Sequence, residues 1–260
     1  MNKLEEIAAY KKKQVASDIN TKSIKQLEES PFYERDTTSM HKSILNGSGV
    51  IAEFKRKSPS KGVINDVSSV KEVVEGYDSA GVSGVSVLTD LPYFGGEISD
   101  VIQARECISK PVLRKEFIVD EYQIIEAKAI GADCILLIAE ILTKEEVYAF
   151  STLAKSLGLD VLMELHSEDQ LDKLCSTLDI VGVNNRNLKT FEVDINISIN
   201  LFDAIGNDFI RISESGISDV KEAIVLKKEG FDGFLIGENF MKTENPGNAC
   251  AEFINQLHAS

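Results

Sequence analysis

The chain has 260 residues and a mass of 28.6 kDa, and 43% of its residues are hydrophobic. This length fits one domain with a sizeable core and leaves no room for a second full domain. The formal net charge of −14 and the pI of about 4.8 argue against binding to nucleic acids or anionic membranes, because no broad basic face can form, although a few lysines can still dominate a cleft for a small anion.

The N-terminal region alternates charged and apolar residues at helical spacing. Leu4 and Ile7 belong to this pattern, and Pro31 ends it, so we predict one or two helices before the main fold. The first residues, MNKLEEIAAYKKK, contain no long apolar core, and no run of 18 apolar residues occurs anywhere. We therefore expect no signal peptide, no membrane span and a cytoplasmic location.

Eight short apolar runs follow, and their β-branched residues are typical of strands buried on both faces. The predicted strands are VIAEF (50–54), GVSVLT (84–89), VLRKEF (112–117), CILLIA (134–139), DVLMEL (160–165), IVGVNN (180–185), FIRISE (209–214) and GFLIGE (233–238). They begin every 20 to 34 residues, which is the length of a strand–helix unit. Eight regular units without a GxGxxG sequence favour an α/β fold with a single (β/α)8 TIM barrel over a doubly wound open sheet. We assign residues 1–46 to an N-terminal helical extension and residues 47–260 to the barrel, together one structural domain.

Helical patterns lie between the predicted strands, and three of them begin with a sequence that resembles a capping box. The three pairs are Asp120 with Gln123, Thr143 with Glu146, and Ser167 with Gln170. Glycines follow several of these stretches, at positions where a helix C-terminal cap is expected.

The connection after the first strand, KRKSPSKGVINDVSS (55–69), is long and basic and contains proline and glycine. We interpret it as a loop over the rim of the barrel that closes when a ligand binds. The alternative is a solvated basic loop without such a role.

Polar residues suited to chemistry cluster at the C-terminal ends of the strands, where a (β/α)8 barrel builds its active site. Alternate residues of a strand share a face, so each of these residues lies one layer above an apolar residue of the interior. They are Glu53, Lys55, Lys115, Glu164, Asn184, Arg186 and Glu214. Two lysines and three glutamates in one cleft would shift each other's pKa values, so that one group can act as acid and another as base near neutral pH. The alternative is that lysine–glutamate pairs only satisfy the barrel mouth.

A phosphate site is predicted at the other side of the mouth. ESGIS (214–218) follows the seventh strand, and IGEN (236–239) belongs to the end of the eighth. Small residues there expose backbone N–H groups beside a short helix start, which suits an anion. One glycine alone is weak evidence, because turns also use glycine.

Histidines and cysteines receive no role. His166 lies beyond Glu164 with the opposite parity, so we interpret it as incidental, like His41 and His258. The cysteines show no CxxC pair and no histidine at metal-ligand spacing, which argues against a disulfide framework and a zinc site. They are Cys107, Cys134, Cys175 and Cys250.

At these residues the sequence resembles the indole-3-glycerol-phosphate synthase family of tryptophan biosynthesis. The motifs cover the chain from about residue 47 to 241, and the N-terminal extension is also similar to the family. They are VIAEFKRKSPSKG (50–62), SVLTDLPYFGG (86–96), PVLRKEFIVDEYQI (111–124), GADCILLI (131–138), VGVNNRNL (181–188), ISESGI (212–217) and FLIGENFM (234–241). The resemblance implies a carboxy-lyase that converts 1-(2-carboxyphenylamino)-1-deoxy-D-ribulose 5-phosphate into indole-3-glycerol phosphate, CO2 and water. It implies a phosphorylated, anionic small-molecule substrate, no metal and no organic cofactor.

The resemblance also implies roles for the charged residues. Lys115 is similar to the family's general acid at the C2′ oxygen of the substrate. Lys55 is similar to the lysine near the substrate carboxylate, and it is a rival for the acid in ring closure. Glu164 is similar to the general base of the dehydration, and Glu53 to the glutamate that positions lysine and substrate hydroxyl.

The remaining residues are similar to parts of the family's substrate site. Asn184 and Glu214 are implied around the anilide and ribulose parts, and Phe94 with Phe117 beside the aromatic ring. The substrate- and phosphate-binding residues are Ser58, Phe94, Phe117, Arg186, Ser215, Gly216, Gly237 and Glu238. Glu238 would act through its backbone, so its side chain must point away from the phosphate, or this part of the assignment weakens.

Three other functions stay open at this point. A phosphoribosylanthranilate isomerase would need a cysteine base in the first strand, where this chain has Glu53. A Schiff-base aldolase would use Lys115 as a nucleophile. A non-catalytic sensor of phosphorylated metabolites would need neither paired lysines nor Glu164.

Overall fold

The computed structural model describes residues 3–187 and 192–259, and within them eight parallel strands close into a barrel. Met1, Asn2, Ser260 and Leu188, the last residue of the VGVNNRNL motif, lie outside the described residues. The strands are β1 (Val50–Phe54), β2 (Gly84–Leu88), β3 (Val112–Lys115), β4 (Cys134–Ile138), β5 (Asp160–Leu165), β6 (Ile180–Asn184), β7 (Ile210–Glu214) and β8 (Gly233–Ile236). Each strand pairs with its neighbours in the chain, and β1 pairs with β8 to close the barrel. The predicted (β/α)8 architecture is therefore confirmed.

Helices surround the strands and precede them. They are α1 (Lys3–Thr21), α2 (Ile24–Glu28), α3 (Met40–Asn46), α4 (Val70–Ser79), α5 (Leu91–Phe94), α6 (Ile98–Cys107), α7 (Glu121–Ala129), α8 (Lys144–Ser156), α9 (Asn196–Ile205), α10 (Val220–Glu229), α11 (Glu238–Met241) and α12 (Pro246–His258), with a 3-10 helix at Glu168–Lys173. Among the described residues, no helix combines the length and apolarity needed to span a membrane.

Six of the predicted strands are shorter than expected, four of them by one residue and β3 and β8 by two. β3 ends at Lys115, and β8 ends at Ile236. Gly237 caps the short helix α11 instead of continuing the strand. The long connection after β1 is also more regular than predicted, since residues Lys57–Ser58 and Gly62–Val63 pair as a small antiparallel hairpin. Its closure over a ligand stays a prediction.

Two apolar layers explain why the strands are buried on both faces. One layer lies between the strands and the outer helices and includes Val50, Ala52 and Phe54 of β1. The other fills the barrel interior, where Ile51 of β1 packs with Leu113 of β3. The alternation predicted from the sequence is therefore correct, and it turns the polar residues that follow the interior layer toward the mouth.

The N-terminal helices contact both ends of the barrel. Leu4 and Ile7 of α1 belong to the interior apolar cluster, and so do Met40 and Ile44 of α3. At the end opposite the mouth, the Asp160 carboxylate at the start of β5 accepts a hydrogen bond from the His41 backbone N–H, at 3.0 Å. These contacts suit a single structural domain, and the boundary between residues 46 and 47 stays a prediction.

Lys11 of α1 is buried inside this assembly. Its Nζ lies 2.9 Å from Asp90 Oδ2 and 3.0 Å from Glu116 Oε1, and its side chain is only 2% exposed. Burial alone would lower the pKa of Lys11, but the charges of Glu116 and Asp90 raise it above its ordinary value. A buried ammonium thus joins the N-terminal helix to the segments that follow β2 and β3.

Lys11→Met should destabilise the protein by about 3–5 kcal/mol, because it leaves two buried carboxylates without their shared cation. Urea unfolding followed by circular dichroism measures this change. Lys12→Met is the matched control, because Lys12 is the exposed neighbour on the same helix, and it should change stability by less than about 0.5 kcal/mol. Equal unfolding midpoints for the two variants would contradict the prediction.

Candidate active site

The C-terminal ends of the barrel strands surround a cavity of about 710 Å³. Every residue predicted from the sequence as catalytic or substrate-binding lines it. They are Glu53, Lys55, Ser58, Phe94, Lys115, Phe117, Glu164, Asn184, Arg186, Glu214, Ser215, Gly216, Gly237 and Glu238. The structure thus brings the predicted set together, whereas the chemical role of each residue stays a prediction.

Lys115 lies between two carboxylates at the centre of the cavity. Its Nζ donates to Glu164 Oε2 at 3.1 Å and forms a still shorter contact with Glu214 Oε2. The side chains of Glu164 and Glu214 are 6% and 2% exposed, so this triad is nearly dry. One ammonium therefore serves two carboxylates from β5 and β7.

Burial lowers the pKa of Lys115, but the charges of Glu214, Glu164 and Glu53 outweigh burial and raise it far above its ordinary value. Lys115 therefore keeps its proton, as a general acid must before the reaction. A Schiff-base nucleophile needs the opposite, a neutral amine with a lowered pKa. This environment favours the acid over the aldolase interpretation.

The two carboxylates have opposite pKa shifts. Burial raises the pKa of Glu214, and so does the repulsion from the charges of Glu164 and Glu53. Together these effects outweigh the attraction of Lys115, which lowers the pKa, and the result is a pKa of about 7. Oε1 of Glu214 is also buried without a hydrogen-bond partner among the described residues, which disfavours the ionised form. Burial also raises the pKa of Glu164. The charges of Lys115 and His166 and a hydrogen bond with Asn184 outweigh this effect and lower the pKa to about 2. This difference separates a carboxylate that is always charged from one that titrates near neutral pH.

The raised pKa of Glu214 predicts that this group's contribution to stability is lost as the pH rises from about 4.5 to about 7. The folded chain binds the Glu214 proton more tightly than the unfolded chain, so the free energy of unfolding falls as pH rises through this window. Glu164 acts in the opposite sense, but only below about pH 4.5, because its pKa is lowered. Urea unfolding at about pH 5 and about pH 8 should therefore show a smaller loss of stability for Glu214→Gln than for the unchanged protein. An identical loss in both proteins would contradict the assignment.

Gly182 of β6 provides the space that the Glu214 carboxylate occupies. A Cβ atom at this position would lie 2.2 Å from Glu214 Oε1, so any side chain must displace the carboxylate. Gly237 has the same relation to Glu53, with a distance of 2.6 Å to Oε1. The two glycines therefore set the positions of two carboxylates in the cavity.

Gly182→Ala should lower kcat by about 10²-fold, because it moves Glu214 away from Lys115 while the flexible glutamate side chain absorbs the clash. The measurement is steady-state turnover, with thermal unfolding as a check that the barrel persists. The control adds the same alanine to a Glu214→Ala protein, where the methyl group meets no carboxylate and should cause no further loss. A large further loss there would show that the methyl group acts by another route.

Glu53 and Lys55 form a second pair on β1 and just beyond it. Lys55 Nζ donates to Glu53 Oε1 at 2.6 Å, and the Ser86 hydroxyl of β2 donates to Glu53 Oε2 at 3.4 Å. Glu53 is 4% exposed, whereas Lys55 is 16% exposed at the start of the long connection. The Lys115 side chain is almost as exposed, at 13%, so the two lysines differ mainly in that Lys115 belongs to β3 and Lys55 follows β1.

One wall of the cavity is apolar. The rings of Phe94 and Phe117 lie 5.9 Å apart with an angle of 38° between their planes. Leu4 and Ile7 of α1 complete this wall, and the sequence analysis did not assign them to the site. Their spacing predicted a helix, but it did not show which surface they would cover. An aromatic ring of a substrate fits this wall.

The opposite wall is cationic and rich in exposed backbone. Ser215 has φ of 65°, which makes it the one described residue other than glycine with a positive φ, and Gly216 follows with φ of 75°. A left-handed serine costs about 1–3 kcal/mol, and such strain tends to occur at functional sites. Lys61, Arg186 and Lys242 line the same region. A phosphate group fits this wall.

Glu238 does not point away from the cavity, so that requirement of the sequence analysis is not met. Its carboxylate lines the cavity, 3.6 Å from Lys61 Nζ and 3.7 Å from Arg186 Nη2. The reason is that α11 begins at Glu238 and turns its first side chain toward the two cations. The backbone assignment at strand β8 is weaker for this reason, although the neighbouring cations offset the negative charge.

His166 makes a contact with Glu164 that the sequence did not predict, and its role stays a prediction. Its Nε2 lies 3.3 Å from Glu164 Oε1, with 9% of the histidine side chain exposed. The strand ends at Leu165, so the alternation of faces does not describe this contact.

Neither a metal-ligand cluster nor a cysteine belongs to the described part of the cavity. Among the described residues, no group of three or more histidine, cysteine, aspartate or glutamate side chains could hold a metal ion. The cysteines are free, and none of them lines the described part of the cavity.

Comparisons with known proteins agree along almost the whole chain. Residues 4–253 match the family model described as indole-3-glycerol phosphate synthase. The chain is similar to an indole-3-glycerol phosphate synthase from Bacteroides thetaiotaomicron, with 43% identity over 98% of each chain. It is 41% identical to one from Caldanaerobacter subterraneus subsp. tengcongensis, over 98% of each chain, and 42% identical to one from Neisseria meningitidis, over 94% of this chain and 92% of the relative.

Proposed function

The chain belongs to the indole-3-glycerol phosphate synthase family, and from this premise we propose which of its residues carry out each part of the reaction. The protein is a carboxy-lyase of tryptophan biosynthesis. It converts 1-(2-carboxyphenylamino)-1-deoxy-D-ribulose 5-phosphate into indole-3-glycerol phosphate, CO2 and water. The observation that carries the proposal is the position of Lys115 between Glu164 and Glu214, in a cavity with one aromatic and one cationic wall.

Substrate binding uses the two walls. The carboxyphenyl ring lies against Phe94 and Phe117, and the phosphate lies near Ser215, Gly216 and the cationic residues around them. Lys55 holds the substrate carboxylate, since it lies at the start of a connection that can follow the ligand. These contacts bend a flexible substrate so that its ring carbon approaches the C2′ carbonyl, which is how binding supplies much of the rate.

Ring closure then uses Lys115. The ring carbon that bears the carboxylate forms a bond to C2′, and the C2′ oxygen takes a proton from the Lys115 ammonium. Loss of CO2 leaves its bonding electrons on the ring and restores aromaticity. Asn184 and Glu214 hold the reacting part, and Glu53 positions Lys55 and the substrate hydroxyl.

Dehydration uses Glu164. The Glu164 carboxylate accepts a proton from the neighbouring carbon, and the C2′ hydroxyl leaves with its bonding electrons and takes a proton from the Lys55 ammonium to depart as water. The new double bond completes the indole, and the proton on Glu164 together with one from solvent restores the two lysines. Positioned acids and bases typically contribute about 10²–10⁴-fold each.

The phosphate part of the proposal is tested with a dephosphorylated substrate. Indole fluorescence reports product formation from the phosphorylated compound, and titration gives the affinity of each form. We expect the dephosphorylated form to bind far more weakly. Equal affinities would remove the residues of the cationic wall from the proposal without affecting the roles of Lys115 and Glu164.

We also propose a cytoplasmic location and a small phosphorylated anion as the ligand, without nucleic-acid or membrane partners. The net charge of −14 supports this, since it disfavours polyanionic surfaces.

A further inference from the structure

The Glu164 carboxylate has a partner that the proposed reaction does not use. Oε2 of Glu164 accepts from Lys115 on the cavity side, whereas Oε1 faces the His166 Nε2 at 3.3 Å. Glu164 lines the cavity, and His166 is not among the described residues that do so. The imidazole therefore lies behind the carboxylate, on the side away from the substrate.

The backbone of His166 is held in place by a buried glutamine. Gln170 Oε1 accepts a hydrogen bond from the His166 backbone N–H at 2.8 Å, and the Gln170 amide donates in turn to Glu140. Gln170 is 2% exposed. The sequence predicted a capping box between Ser167 and Gln170, but Ser167 makes no side-chain cap, and Gln170 reaches one residue further back. This contact fixes the residue that carries the imidazole.

The imidazole itself has unused hydrogen-bonding capacity. Within the part of the chain that the structure describes, neither Nδ1 nor Nε2 has an aligned hydrogen-bond partner, although both are buried. A buried polar group without a partner is costly, and the nearest acceptor for Nε2–H is Glu164 Oε1. Hydrogen bonds of this kind are often misaligned in a free enzyme and tighten in the reacting complex.

Lys115 cannot serve Glu164 throughout the reaction. Its ammonium contacts both Glu164 and Glu214 in the free protein, which leaves one N–H for the C2′ oxygen of the substrate, and it becomes a neutral amine once that proton is transferred. Glu164 then loses its main cationic partner immediately before it has to accept a proton. A second donor on Oε1 would keep the carboxylate oriented with Oε2 directed at the substrate.

We propose that His166 is a positioning residue that holds the Glu164 carboxylate through Oε1 while Lys115 is engaged with the substrate. This inference rests on the role of Glu164 given above. It assigns His166 to the dehydration step and predicts no contribution to substrate binding or ring closure.

The test compares His166→Leu with the unchanged protein in single-turnover experiments. Release of CO2 reports ring closure, and indole fluorescence reports dehydration. We expect dehydration to slow by about tenfold or more, the usual value for a hydrogen bond to a charged group, with ring closure and substrate affinity changed less than about twofold. His166→Gln retains an N–H donor and should recover part of the rate. His41→Leu is the control, because His41 lies near the opposite end of β5, and it should leave both steps unchanged.

A double-mutant cycle with Glu164→Gln makes the test specific. In that background, His166→Leu should have no further effect on dehydration, since the group that it positions is already disabled. An equal slowing of both steps, or a full additional loss in the Glu164→Gln background, would overturn the inference. If Glu164→Gln does not slow dehydration selectively, the base assignment fails and the role of His166 fails with it. If Glu164→Gln slows dehydration selectively and His166→Leu does not, the base assignment stands and only the role of His166 is wrong.

Discussion

Lys115→Met is expected to abolish turnover while it leaves substrate affinity within about tenfold, or about 1.4 kcal/mol. Lys115 belongs to the rigid strand β3, and its ammonium keeps its proton between two buried carboxylates. Such a position suits proton donation at one fixed point, and methionine fills a similar volume without a proton to give. Loss of a general acid lowers kcat by about 10²–10⁴-fold. Steady-state fluorescence gives kcat, and titration with substrate gives the affinity.

Lys55→Met is the matched control for this prediction. Lys55 is also a lysine of the cavity, but it lies where β1 gives way to the hairpin connection rather than within a strand. Its removal should weaken substrate binding as well as slow turnover, because it holds the carboxylate of the substrate. Near-normal turnover of Lys115→Met would reverse the assignment and make Lys55 the central acid.

Glu164→Gln is expected to stop the reaction after ring closure, so that a condensed but undehydrated intermediate accumulates. Glutamine keeps the shape and hydrogen-bonding reach of glutamate, but it cannot accept the proton that dehydration releases. The rate of indole formation should fall by about 10²–10⁴-fold. In a single turnover, release of CO2 should precede the indole signal by a clear delay.

Glu214→Gln tests whether that delay is specific to Glu164. Glu214 shares the Lys115 contact, but it lies on β7 rather than on β5. It should slow the reaction without separating CO2 release from indole formation. The base assignment would be wrong if Glu214→Gln gave the same delay and Glu164→Gln gave none.

Local periodicity was enough to predict the barrel and most of the cavity. Strand alternation directed Glu53, Lys115 and Glu164 toward one mouth, because each follows an interior residue on a strand of known direction. Alternation has no meaning beyond the last residue of a strand, so it could not predict the contact between His166 and Glu164. The orientation of Glu238 depends on where α11 begins, and that is set by the packing of the loop rather than by residue type.

Contacts between distant parts of the chain could not be predicted from local periodicity. Lys11 resembles the solvated lysines next to it, and only the docking of α1 shows that it pairs with Asp90 and Glu116. Leu4 and Ile7 were predicted only as apolar positions of a helix, and the sequence does not say that they cover the substrate cavity. A helical pattern identifies an apolar face and leaves its partner undefined.

The Lys11 contact also has a consequence for the order in which the chain folds during its synthesis. Lys11 leaves the ribosome long before Asp90 and Glu116 do, so α1 has no place to bury its ammonium until the third strand and the residues after it have been made. The first helix to be synthesised thus has to wait for the residues after β2 and β3 before its buried ion pairs can form. Until then its apolar residues are exposed to solvent and to chaperones, and the long separation along the chain slows the step that finally buries them.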